Sequence, residues 1–158
     1  MFWLIVLAWT TLAAPQAPPL LTGTVLDFSI LAGDWSVEAA PEKVEPRFQG
    51  SLLITTRPNE ITVRRGNLTP ETYRVDGTPT DLGSGRFGSA LLVADGIVLS
   101  TRRPRQLPAG PATTIYSDYF RIDGDVLTVD SVRSQSRPDG TLASMENTRV
   151  VIRYRRAR

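Results

Sequence analysis

From Trp35 onward the chain alternates apolar and polar residues with a period of two, and turn residues interrupt the alternation at roughly 8–12-residue intervals. Leu52 and Ile54 would share a face with Ile61 and Val63 across Arg57-Pro58-Asn59-Glu60, leaving Thr62 and Arg64 to solvent. Asp95-Gly96 joins two such stretches, and Asp123-Gly124-Asp125 joins two more; Asp and Gly tolerate the positive φ that tight hairpin turns need. This pattern predicts nine strands, beginning at Trp35, Leu52, Ile61, Glu71, Arg86, Ile97, Thr114, Val126 and Thr148. Val25, Phe28 and Ile30 fit neither period, so Thr24–Leu31 reads as a short helical turn or an extra strand.

Sequential hairpins without long crossovers predict an all-β, antiparallel up-and-down meander of 8–10 strands, closed into a barrel that hides its edges. The expected inward set is Leu91, Val93, Ile97, Leu99, Tyr116, Phe120, Ile122, Leu127 and Val129. These side chains either fill the barrel or line an apolar ligand cavity, since a barrel of this size can do both. With nine strands, the Gly77–Gly85, Pro104–Ala112 and Gln135–Asn147 connections share one end. Ala40–Gln49 and the two Asp-Gly turns would lie at the other.

The N-terminus has a different character. Phe2 to Ala14 carries no charge and runs into Pro15-Gln16-Ala17-Pro18-Pro19. That run is shorter than the roughly 18 apolar residues of a membrane-spanning helix and suits the apolar region of a secretory signal. The expected division is a signal peptide over 1–13, a Pro-rich linker over 14–23 and a barrel domain over 24–158. The mature form would have no stable membrane span and a secreted or periplasmic location.

Composition narrows the chemistry. The chain has 158 residues, a formal net charge of +2, no His and no Cys. Disulfides, thiol nucleophiles, thiolate zinc sites, histidine-ligated haem and histidine bases are thereby excluded. All the basic residues but Lys43 are arginine, spread along the chain and balanced by 16 acids. No aromatic-studded basic face points to nucleic acid. Asp118, Asp123, Asp125 and Asp130 are the carboxylates considered for glycoside hydrolysis, but Asp123 and Asp125 belong to a turn that favours Asp for backbone reasons. No catalytic residue, metal site or cofactor is expected, and the chain reads as a non-enzyme.

Gly33-Asp34-Trp35 opening the first strand, the meander and the Arg-rich last strand resemble the lipocalin-like, or calycin, barrels. The pattern Leu-Ala-Gly-x-Trp with Asp123-Gly124-Asp125-Val126-Leu127-Thr128-Val129 is similar to small exported bacterial proteins with that domain. The resemblance implies that Trp35, with Gly33 before it, plugs one barrel end beneath an arginine of the last strand. Arg153 or Arg155 would fill that role in an eight- or ten-stranded barrel, and Arg149 in a nine-stranded one. It also implies an interior that binds a small apolar or amphipathic molecule. Two departures limit the carry-over: Ile152-Arg153-Tyr154 lacks the Arg-x-Tyr pair of fatty-acid-binding members, and haem-binding relatives need a histidine. The alternative is an envelope-interaction or inhibitor module that meets a protein partner through the long loops, with no small-molecule ligand.

Overall fold

The computed structural model describes residues 27–141 and 148–158. The expected signal peptide and linker lie outside the described residues. Ten strands form one antiparallel sheet: β1 Gly33–Ala39, β2 Leu52–Arg57, β3 Glu60–Arg65, β4 Glu71–Arg74, β5 Thr80–Gly83, β6 Arg86–Val93, β7 Gly96–Leu107, β8 Gly110–Asp123, β9 Val126–Ser136 and β10 Thr148–Arg156. Their order, β4-β3-β2-β1-β10-β9-β8-β7-β6-β5, is an up-and-down meander whose first and last strands pair. The sheet curls into a nearly closed barrel, as the alternation predicts. Asp76 bridges Leu91, and the Gly77 amide donates to the Ala90 carbonyl at 3.0 Å, so the chain just after β4 reaches β6.

Two expectations change. The Gly77–Gly85 connection contains β5, a four-residue strand, making the count ten rather than nine. Every later connection therefore moves to the opposite end from the one expected. The loops β1–β2, β3–β4, β7–β8 and β9–β10 share one end, and both Asp-Gly turns occupy the other. Pro104–Ala112 is not a long loop, because β7 and β8 pair through to Leu107 and Gly110. The segment before β1 is the helical alternative, a 3-10 turn over Phe28–Leu31 capped by the Asp27 carboxylate, which accepts from the Ser29 amide at 3.0 Å.

Among the described residues, no helix is long and apolar enough to cross a membrane. The core runs up the inner wall: Trp35, Leu52, Ile54, Ile61, Val63, Tyr73, Ile97, Leu99, Phe120, Leu127, Val129, Ile152 and Tyr154 are all buried and in one cluster. Trp35 closes the tight-turn end, with its indole N–H donating to the Leu31 carbonyl at 3.0 Å. The Arg156 guanidinium stacks over it, 4.2 Å from the ring centroid, and donates to the Ala32 and Ile30 carbonyls at 2.7 and 2.8 Å. Arg149, Arg153 and Arg155 do not form the plug. Ile152 and Tyr154 point inward, so the odd-numbered arginines point outward, where Arg149 pairs with Asp130 and both Arg153 and Arg155 pair with Glu38. At Gly33 the φ is +139°, and a Cβ there would stand 2.8 Å from the Arg156 guanidinium.

Candidate binding cavity

The inward faces of four strands change chemistry as they climb toward the loop-rich end. On β3 the inward series runs Ile61, Val63, Arg65; on β4 it runs Tyr73, Glu71. On β8 Phe120 gives way to Asp118 and then Tyr116, and on β9 Val129 gives way to Ser131. Register sets Asp118 opposite Leu99 on β7 and Ser131 on β9. The interior is therefore apolar at the Trp35 end and polar at the other.

Asp118 is 1% exposed, and its carboxylate is fully engaged. Arg65, from the opposite wall, donates to Oδ2 at 2.8 Å, and the Ser131 hydroxyl donates to Oδ1 at 2.6 Å. Arg47 adds a two-pronged contact, at 2.9 Å to Oδ2 and 3.0 Å to Oδ1. Arg47 comes from a 3-10 turn, Pro46–Phe48, in the β1–β2 loop. Its guanidinium lies between the Phe48 and Tyr116 rings, 4.2 and 4.1 Å from their centroids. Glu45 ties the same loop to β9 through Arg133 at 3.0 Å. The loop is thus folded over the barrel mouth and anchored to its interior.

A second carboxylate, Glu71, joins Arg65 at 2.9 Å to Arg86, which also donates to the Leu82 and Gly83 carbonyls at the β5–β6 turn. The Tyr73 hydroxyl donates to Glu71 at 2.9 Å and so accepts from Thr101 at 3.0 Å. Burial pushes the Tyr73 phenol up to about 12, with Arg65 opposing and Glu71 reinforcing the shift. Burial likewise raises Tyr154 to about 12. For Arg65, burial works against the charge, but Asp118, Tyr73 and Glu71 outweigh it, and the guanidinium sits above its ordinary value.

Above this network a cavity of about 290 Å³ opens, lined by Arg47, Arg65, Arg86 and Arg103 with Val63, Leu68, Thr69, Glu71, Thr101 and Tyr116. Of the nine side chains expected to face a ligand, only Tyr116 lines it. Ile97, Leu99, Phe120, Leu127 and Val129 are 0 or 1% exposed within the core cluster, and Ile122 packs against that cluster. Leu91 is a correction. It is 59% exposed on the outer face, because Gly88, Ala90 and Leu92 take the inward positions of β6, and Val93 shares the Leu91 parity. Sequence reasoning missed Arg47, Arg65, Glu71 and Arg86, and it read Arg103, in the basic cluster Arg102-Arg103-Pro104-Arg105, as solvated surface ahead of an anion contact. Their signal was present in Arg65, Glu71 and Arg103, charged residues standing where the alternation demands inward side chains.

Among the described residues no group of three or more carboxylates could hold a metal ion. Both oxygens of Asp118 are taken by donors, so its evident role is counter-ion to two arginines. Comparison with known protein families, with curated proteins and with solved structures found no match to this chain.

Proposed function

We propose that this chain is an exported lipocalin-like barrel that binds a small amphipathic molecule inside its loop-rich end. The single observation that supports this reading is the cavity of about 290 Å³, which enters a barrel otherwise filled by side chains. Its walls offer both characters an amphipathic ligand needs: Val63, Leu68 and Tyr116 supply apolar surface, and the arginines supply polar contacts. The apolar lower half is packed with Trp35, Tyr73, Phe120 and Tyr154, so the ligand site is moved up from the aliphatic core to the polar rim. Export rests on the uncharged run Phe2–Ala14 and the prolines after it.

The test is native mass spectrometry of the protein purified without denaturant, followed by solvent extraction. A stoichiometric small molecule retained by the native protein and absent from a Tyr116→Arg variant, which blocks the cavity, is the expected result. Fully unliganded protein that takes up no member of an amphiphile panel would overturn the reading and favour a role through the loops alone.

A further inference from the structure

Taking the binding role proposed above as its basis, the charge of the cavity identifies the class of ligand. Four guanidiniums, Arg47, Arg65, Arg86 and Arg103, line it, and two carboxylates, Glu71 and Asp118, neutralise part of their charge. Among the described residues the surplus is two positive charges in a partly enclosed space, since Glu45 and Arg133 at the mouth cancel each other. Three of the arginines are already held by carboxylates, but Arg103 has no ion-pair partner among the described residues. It projects from β7 on the same side as buried Thr101, while Arg102 points to the outer face. Val63, Leu68 and Tyr116 border the same space and suit a short apolar group.

We infer that the site takes a doubly charged anion on a short apolar group, in chemical terms a small alkyl or aryl phosphate monoester. A dianion matches the surplus, and a tetrahedral phosphate offers several acceptor oxygens to convergent guanidiniums. A carboxylate would leave one charge uncompensated. The cavity lies at the lower end of ligand-pocket volumes, which favours a soluble ester over a lipid with long chains.

Calorimetric titration with hexyl phosphate, hexanoate, hexanol and inorganic phosphate tests the inference. Hexyl phosphate is expected to bind at least about tenfold more tightly than the other three. Arg103→Gln should remove about tenfold of that affinity, the scale of one charge-assisted hydrogen bond. Arg102→Gln, on the opposite face of the same strand, should leave binding unchanged, and matching thermal unfolding of both variants shows that the fold is retained. Equal binding of hexanol and hexyl phosphate, indifferent to Arg103→Gln, overturns the anion class while leaving the binding role standing. Hexyl phosphate binding that survives Arg103→Gln places the anion elsewhere and overturns the inference. Inorganic phosphate binding as tightly as the ester removes the apolar part of the assignment. Binding of none of the four overturns the inference, and Tyr116→Arg with the extracted ligand then decides the binding role separately.

Discussion

Removing the Asp118 carboxylate would strand Arg65, which is 6% exposed and has, among the described residues, only Glu71 as its other acidic partner. Breaking a buried ion pair from one side costs about 3–5 kcal/mol, because the remaining charge stays desolvated. Asp118→Ala should therefore lower the urea midpoint by that equivalent. The double variant Arg65→Met with Asp118→Leu should recover much of the loss, because Arg47 can turn toward solvent and Glu71 retains Arg86. The same network makes stability depend on pH at the alkaline side. Tyr73 and Tyr154 both sit at about 12 in the fold, above the ordinary 10.0. Folded and unfolded chains both hold these protons below pH 10, so the contribution is complete there. It is lost as pH rises through about 12, by about 2–3 kcal/mol for each phenol. Denaturant midpoints measured from neutral pH to pH 12 should fall steeply above pH 10, and Tyr73→Phe should flatten that fall.

Elements explain which parts of the fold were legible in sequence and which were not. Hairpins with an Asp-Gly turn and a period of two, such as β6–β7 and β8–β9, stand out because turn chemistry and alternation agree. β5 does not: Thr80–Gly83 is four residues between Gly77-Thr78-Pro79 and Ser84-Gly85, with one large apolar side chain, Leu82, to mark a face. Missing that strand reverses the end assigned to every later loop, and it hides the convergence of β1–β2, β3–β4 and β9–β10 at one mouth. The parity error on β6 has a simple origin, since Leu91 and Val93 look like core residues while the true inward positions are Gly88, Ala90 and Leu92. The inward position 88 takes glycine because Tyr73 and Leu82 occupy the space a Cβ would need, at 2.6 and 2.7 Å. Tyr73 is itself buried and hydrogen-bonded to Glu71 and Thr101, so it cannot yield. Gly88→Ala should pry the closing seam and cost about 1–3 kcal/mol, read as a lower thermal midpoint with faster amide exchange in β4 and β6. At the opposite end, counting two residues past Tyr154 along the inward face leads to Arg156. Arg156→Ala should cost about 1–2 kcal/mol from the lost stacking and carbonyl contacts, whereas Arg153→Ala, at an exposed ion pair, should stay within about 0.5 kcal/mol.

At the scale of the whole molecule, one barrel contains two interiors. The end beneath Trp35 and Arg156 is filled with apolar side chains and accounts for the fold. The loop-rich end is built from paired charges that anchor the β1–β2 turn, and a cavity lined by Arg47, Arg65, Arg86 and Arg103 opens there. The proposed ligand sits at this end, and not in the apolar half or on the outer face of the sheet. Nuclear magnetic resonance titration of backbone amides, arginine Nε–H groups and the Trp35 indole with hexyl phosphate locates a ligand directly. Saturating shifts confined to Arg47, Arg65, Arg86, Arg103, Thr101 and Tyr116, with the Trp35 indole unmoved, are expected. Shifts centred on Trp35, or on Phe87 and Leu91 of the outer face, would contradict it.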